Sequence, residues 1–152
     1  MYAEPKMEKL TINLPPMDLA RMDILVDGGF YPSRTEFIRA AIRTQLDVHQ
    51  DYIQNQMRLV TEVFEEELPD DELETHISGV GVISLNKEVF ERTMKQGRLM
   101  RINVAGMLRI AKDVTPKHVE ATVASVKVYG ILRAPSKVKA VLKRLMEEEA
   151  GA

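Results

Sequence analysis

Three polar side chains near the start of the chain have the chemistry to contact the edges of nucleic-acid bases. Lys9, Thr11 and Asn13 occupy every second position of the segment Lys9–Leu14, and apolar residues fill the positions between them. Because strand side chains alternate between two faces, this pattern predicts a half-buried β-strand with the three polar side chains outward. Lysine can donate to guanine, asparagine can pair with adenine, and threonine offers a hydroxyl and a methyl group. An ordinary solvated strand face is the alternative.

A second group of candidate residues stands at a predicted helix start, where an anion could bind. The series Ser33-Arg34-Thr35-Glu36 fits a capping box, in which Ser33 accepts from the third helical amide and Glu36 reaches back. The first amides of a helix lack intrahelical partners and carry the positive end of the helix dipole, which together favour a phosphate. We therefore predict phosphate contacts at Ser33, Arg34 and Thr35. Capping alone is the alternative for Ser33, and the two roles are compatible.

Two helices must position these side chains. Apolar residues at helical spacing predict a short helix over Met17–Val26. The second helix begins near Ser33 and meets no proline before Pro69. Across Ile42–Phe64 apolar positions recur at steps of three or four residues, interrupted by one histidine, which resembles a coiled-coil seam. The pattern predicts either one unusually long helix or a bent or broken one.

The order of strand, helix and capped helix resembles the ribbon-helix-helix DNA-binding proteins of the CopG/MetJ/Arc type. The resemblance rests on Leu10–Pro15 for the ribbon and on Gly29–Ile42 for the second helix, and it covers about a third of the chain. It implies that the start of the second helix clamps the DNA backbone beside the ribbon. Phosphate contacts of this kind fix the register of a protein on DNA without reading its sequence.

A lone strand needs a partner, and this need leads to the same arrangement. One isolated strand cannot satisfy its backbone groups, and the obvious partner is its own copy. Two copies form an antiparallel ribbon with a two-fold axis, a shape that the DNA major groove admits. We therefore expect Lys9, Thr11 and Asn13 to read near-palindromic sites. Residues 1–55 carry six Lys/Arg against eight Asp/Glu, which favours modest affinity per dimer.

Charge divides the chain into unlike regions. Residues 56–80 carry one base against eight acids, and residues 81–152 carry fourteen bases against seven acids. The acidic run from Glu65 to Glu74 is predicted as a linker, because its like charges repel and Pro69 interrupts a helix. An acidic surface that competes with nucleic acid for basic residues is the alternative. We expect a DNA-binding domain at 1–50, a helical extension and linker at 51–80, and a C-terminal domain at 81–150.

An internal repeat organises the C-terminal region. Three similar segments begin at Gly81, Gly106 and Gly130, 25 and 24 residues apart, each with two apolar residues after the glycine and a valine eight residues on. Strand patterns precede the last two copies, and helical patterns follow all three, with a helix start at Thr115-Pro116. Such units must stack to bury their apolar faces, which predicts a repetitive, solenoid-like α/β domain for oligomerisation or effector binding. The predicted fold is therefore α+β with two domains. A C-terminal α+β domain with accidental self-similarity is the alternative.

Composition disfavours catalysis and dedicated metal binding. The chain has no cysteine, no recognised nucleophile motif and no phosphate-binding glycine loop, so we predict no enzyme, no catalytic residues, no metal ligands and no cofactor. The histidines His49, His76 and His118 are scattered, and the cluster of Glu72, Glu74 and His76 lies in the predicted acidic linker. No apolar run approaches the length of a membrane span, and the start lacks a signal peptide. We therefore expect a cytoplasmic, nucleoid-associated protein.

Together these patterns favour a sequence-specific DNA-binding transcriptional regulator. We expect a repressor that occupies a promoter as a homodimer, a tetramer or a larger assembly, with an effector left unidentified. One alternative is an antitoxin-type interaction protein with a toxin partner. Another is an architectural protein that coats DNA, in which the repeat domain joins dimers side by side.

Overall fold

The computed structural model describes residues 7–62 and 73–151, which fall into two compact units divided between Gln50 and Asp51. The elements are α1 (Pro16–Asp27), α2 (Arg34–Val48), α3 (Gln50–Glu62), β1 (Glu74–Leu85), α4 (Lys87–Lys95), β2 (Leu99–Ile110), α5 (Pro116–Thr122), β3 (Val123–Arg133) and α6 (Ser136–Ala150). Most of the predicted acidic linker, residues 65–72, lies outside the described residues. In the part of the chain that the structure describes, no helix has the length and apolar character needed to cross a bilayer.

Local chemistry sets the limits of the first two helices. Pro16 is the first residue of α1, where the missing proline amide breaks no helical hydrogen bond. Ser33 precedes α2, and its Oγ accepts from the amide of Glu36 at 3.2 Å, which confirms the predicted cap. The carboxylate of Glu36 is directed to Arg39 Nη1 at 2.6 Å rather than back to Ser33. Half of the predicted capping box is therefore present.

The second predicted helix is broken at His49, so the broken-helix alternative is correct. α2 ends at Val48, His49 has φ −105° and ψ 16°, and α3 begins at Gln50. The His49 ring lies against Gln45, with Nε2 of each residue 3.2 Å apart. The described residues therefore do not form one continuous coiled-coil seam.

Three parallel strands form a sheet in the second unit, in the order β1-β2-β3. A helix follows each strand. The helices after β1 and β2 lie in the crossover connections that parallel pairing of successive strands requires. The buried core joins strand residues to all three helices through Phe90, Leu108, Val119, Val126 and Leu142. The predicted parallel strand–helix arrangement of the C-terminal region is confirmed.

The three repeat glycines are neighbours in this sheet. Gly81 pairs with Gly106, and Gly106 pairs with Gly130, with φ values of +113°, +135° and +123°. A Cβ at Gly106 would lie 2.2 Å from the carbonyl oxygen of Gly81, and a Cβ at Gly130 would lie 2.1 Å from that of Gly106. Glycine alone adopts such a conformation without strain and leaves this space open. The sequence repeat therefore marks a repeated approach of one strand to the next.

The first strand begins earlier than the charge pattern indicates. Glu74, which its charge places in the predicted linker, is the first residue of β1 and makes an ion pair with Arg101 of β2, with Oε2 and Nε 2.6 Å apart. The predicted helix start at Thr115 is confirmed, because its Oγ1 accepts from the amide of His118 and its own amide donates to His118 Nδ1 at 3.0 Å. All three repeat copies thus consist of a strand followed by a helix.

Candidate nucleic-acid interface

The segment that carries Lys9, Thr11 and Asn13 has no strand partner within the described single chain. Residues 7–15 form neither a helix nor a ladder, and all three polar side chains are exposed. The apolar residues between them are open to solvent as well, since Leu10 is 77% exposed and Ile12 is 48% exposed. Unpaired backbone beside exposed apolar side chains is the arrangement that a partner strand would cover.

A groove of about 970 Å³ lies beside this segment in the first unit. Its apolar lining comes from Leu10, Ile12 and Leu14, from Met22 and Leu25 of α1, and from Phe37, Ile38 and Ile42 of α2. Met22 is the one fully buried apolar side chain among the described residues of this unit. A unit of this size with so small a core needs additional burial to be stable. The groove therefore marks the surface where that burial is missing.

The apolar face of α2 continues this open surface along the helix. Ile42 is 46% exposed and Leu46 is 53% exposed, and no residue of α2 is fully buried. The start of α2 is fixed against the preceding loop by Tyr31 and Phe37, whose rings meet edge to face at 5.1 Å. The helix is thus held in place at its first turn while the apolar face beyond it stays uncovered.

The three residues predicted to bind phosphate lie together at the start of α2, but Arg34 has a partner in α1. Its Nε and Nη2 donate to Oδ1 and Oδ2 of Asp23, each at 2.6 Å. These hydrogen bonds lower the pKa of Asp23 and raise the pKa of Arg34. The helix geometry leaves the amides of Arg34 and Thr35 without intrahelical acceptors. The geometry thus keeps two amides available for an anion and holds the Arg34 guanidinium on a carboxylate.

Sequence reasoning missed this ion pair. Asp23 and Arg34 are eleven residues apart, separated by the chain reversal that follows Gly28. A pairing across a turn leaves no periodic signal, although an acid near the end of one helix and a base at the start of the next are both visible in the sequence. In the described ranges 7–62 and 73–151, no group of three or more His, Asp or Glu side chains is placed to hold a metal ion.

Replacing Asp23 by asparagine should strengthen binding to any DNA duplex a few-fold. The change would free Arg34 for the phosphate contact expected from the sequence, and each additional phosphate that the protein neutralises steepens the dependence of log affinity on log salt by about 0.9. Fluorescence anisotropy on a random duplex across a salt series measures both effects. The control is Asp27→Asn, which removes the same charge from the same helix. Equal changes in the two variants would show that net charge, and not release of Arg34, is responsible.

The ion pair between Asp23 and Arg34 makes the stability of the folded protein depend on pH, and the lowered pKa of Asp23 gives the direction of this dependence. Because the folded-state pKa of Asp23 is lowered, the pair stabilises the protein above the ordinary carboxyl pKa, and this contribution is lost as the pH falls through the lowered value. Both side chains are about half exposed, so the contribution is small and decreases with salt. The thermal midpoints of wild type and Asp23→Asn should therefore converge at acid pH.

The chain belongs to the ribbon-helix-helix transcriptional regulator family, whose model matches residues 5–139. It is accordingly a DNA-binding transcriptional regulator, and the resemblance inferred from the sequence is confirmed. The chain is also 36% identical over 45 residues to the transcriptional regulator CdrS of Halobacterium salinarum, a match that covers 30% of this chain and 82% of CdrS. No solved structure matches the chain.

Proposed function

We propose that the chain is a homodimeric repressor that inserts a two-stranded antiparallel ribbon into the DNA major groove. The ribbon consists of Lys9–Leu14 from each copy. The observation that carries this proposal is the exposure of Leu10 and Ile12 beside the apolar groove, a surface that the strand and α2 of a second copy would cover. Burying such apolar surface contributes roughly 25 cal/mol per Å², which favours the dimer over the separate chains.

The polar side chains of the ribbon read the bases, and the start of α2 binds the backbone. Lys9, Thr11 and Asn13 are the base-reading residues. All three are exposed, and Thr11 and Asn13 alternate with the apolar residues that line the groove, whereas Lys9 also borders it. Ser33, Arg34 and Thr35 bind the flanking phosphates, the latter two through their free helical amides. The Arg34 guanidinium binds phosphate when it dissociates from Asp23, or when it donates to Asp23 and to the phosphate at the same time. Two-fold symmetry then requires near-palindromic operators.

The proposal divides the chain into three regions. Residues 1–50 form the DNA-binding domain, and residues 51–80 form the helical extension and acidic linker. Residues 81–150 form a repetitive, solenoid-like domain for oligomerisation or effector binding. The support is the in-register row of repeat glycines, which gives successive strands the same spacing. A repressor of this kind acts in the cytoplasm on the nucleoid.

The double variant Thr11→Ala/Asn13→Ala tests the reading role. It should remove the preference for the operator over scrambled DNA while leaving the dimer intact, because each lost base contact costs roughly 1–3 kcal/mol of discrimination. The matched control is Thr44→Ala/Asn55→Ala, which changes the same residue types at exposed helical positions. Anisotropy on the two duplexes gives the preference, and sedimentation gives the dimer. Retained preference in the ribbon variant would remove these residues from the reading role.

A further inference from the structure

Among the described residues, the parallel sheet has two edges without a neighbouring strand, one on β1 and one on β3. These open edges have the same hydrogen-bonding pattern as the edges that are paired inside the sheet. Within the chain, the amide of Leu99 donates to the carbonyl of Leu73 at 2.9 Å, and the amide of Ala111 donates to the carbonyl of Leu85 at 3.0 Å. The backbone N–H and C=O groups of successive strand residues point alternately to the two sides of the strand. The groups of odd-numbered β1 residues therefore face β2, and those of even-numbered residues, including the amide of Val82, face the open edge. By the same alternation and the register of β2 with β3, the amide of Leu132 faces the open edge of β3.

Gly81 keeps a conformation that no neighbouring strand in the described chain requires. At Gly106 and Gly130 the missing Cβ makes room for the carbonyl of the preceding strand. Gly81 has the same positive φ, yet a Cβ built there would meet nothing within 4 Å. No strand precedes β1 in the sheet of the described residues. The space beside Gly81 is therefore shaped for the carbonyl of another strand, and the counterpart that fits it is the outer edge of β3, where Gly130 lies.

The apolar side chains of the sheet are also less buried in the two outer strands than in the central strand. Leu108 in the central strand is fully buried, whereas its register partners Ile83 and Leu132 in the outer strands are half-buried. Repeat arrays that end at a terminal repeat normally close with a polar outer face. Here the end repeats present the same apolar residues as the centre, so a further repeat on either side would complete their burial.

We propose that the sheet continues from chain to chain, with β3 of one copy adding to β1 of another in parallel, so that Gly130 lies beside Gly81 of the next copy. The occupant is a second copy of this chain. The open edge of β3 is equivalent to the edge of β1 that pairs with β2, and the open edge of β1 is equivalent to the edge of β2 that pairs with β1. A β3–β1 contact between copies would therefore repeat the β1–β2 pairing inside the chain. A head-to-tail interface of this type does not close on itself by two-fold symmetry. It therefore joins ribbon dimers into longer assemblies.

Sedimentation velocity of the full chain without DNA, across the micromolar range, tests this interface. Wild type should form species larger than the ribbon dimer as concentration rises. Val82→Pro removes an outward amide from β1 and should abolish those species, because proline is tolerated on an edge strand but cannot donate to an added strand. Val82→Ala keeps the amide and should assemble as wild type does. Leu132→Pro and Leu132→Ala form the equivalent pair on β3.

A mixing experiment separates head-to-tail pairing from pairing of identical edges. Val82→Pro retains an intact β3 edge and Leu132→Pro an intact β1 edge, so each should stay dimeric alone and the mixture should assemble. Assembly of either proline variant by itself, or a wild type that never exceeds the dimer, would overturn the proposal. Circular dichroism and thermal unfolding verify folding, and Val80→Pro is the second β1 variant if Val82→Pro is unfolded. The proposal builds on the ribbon dimer but not on DNA binding. A wild type that stops at the dimer would overturn the sheet interface alone, and one that sediments as single chains would overturn both the sheet interface and the ribbon dimer.

Discussion

Replacing Ile42 by aspartate should dissociate the homodimer and abolish operator binding. Ile42 lines the apolar groove and is 46% exposed in the single chain, and in the proposed homodimer the second copy would cover its side chain. An unpaired carboxylate at that position costs several kcal/mol, and about 1.4 kcal/mol corresponds to a tenfold change in an equilibrium constant. The dimer dissociation constant should therefore rise at least about a hundredfold. Sedimentation equilibrium measures this change, and anisotropy measures the accompanying loss of operator binding.

The control places the same charge on the other side of the helix. Thr44 lies two residues beyond Ile42 in α2, which turns its side chain roughly 200° around the helix axis, and it is exposed. Thr44→Asp should leave the dimer unchanged. If Ile42→Asp remains dimeric with operator affinity intact, the apolar groove is not the dimer interface.

Replacing Gly106 by alanine should unfold the second unit or destabilise it by at least about 3 kcal/mol. The new Cβ would overlap the carbonyl oxygen of Gly81, and φ +135° is a conformation that alanine rarely adopts. The three atoms that this Cβ would meet, O, C and Cα of Gly81, all belong to the backbone of the neighbouring strand and cannot move aside as a flexible side chain can. Urea unfolding followed by circular dichroism measures the loss.

Gly97→Ala is the matched control for the glycine variant. Gly97 follows α4 with φ +62°, and a Cβ there would meet nothing within 4 Å. Its replacement should cost about 1 to 2 kcal/mol from the left-handed conformation alone. Equal losses at the two positions would show that close approach of the strands is not what requires glycine at Gly106.

Local signals predict the features that depend on neighbouring residues. The serine cap of α2, the helix start at Thr115 and the glycine spacing each depend on a few adjacent side chains, and the structure contains all three. The parallel sheet follows from the same glycines, because strand–helix units of equal length stack in parallel. These features are predictable because local chemistry and the final fold favour the same conformation.

The spacing of apolar residues along a helix does not show which surface that helix packs against. Ile42 faces the groove of the first unit, whereas Val60 is buried in the second and lines a small cavity of about 200 Å³ with Ala105 and Tyr129. One run of helical spacing thus belongs to two separate units, which divide between Gln50 and Asp51, directly after the helix break at His49. Periodicity is the same for a continuous helix and for two successive helices, so it leaves both alternatives open.

Charge is a poor guide where an ion pair compensates it. The acids around Glu74 indicate a linker, yet Arg101 on the adjacent strand neutralises Glu74 and lowers its pKa through a hydrogen bond. The charge of Arg34 indicates a phosphate contact, yet Asp23 already occupies its guanidinium. In both cases the partner is distant in sequence and is brought close by tertiary structure.

The most direct test of sequence-specific repression is fluorescence anisotropy of the purified chain on its own upstream DNA and on scrambled DNA across a salt series. We predict binding to the upstream DNA about a thousandfold tighter than to the scrambled duplex, with a near-palindromic site within it. Comparable, salt-sensitive binding to both duplexes would contradict sequence-specific repression and favour a protein that coats DNA. Absence of binding to either duplex would contradict the proposed ribbon–DNA contact and direct attention to a protein partner.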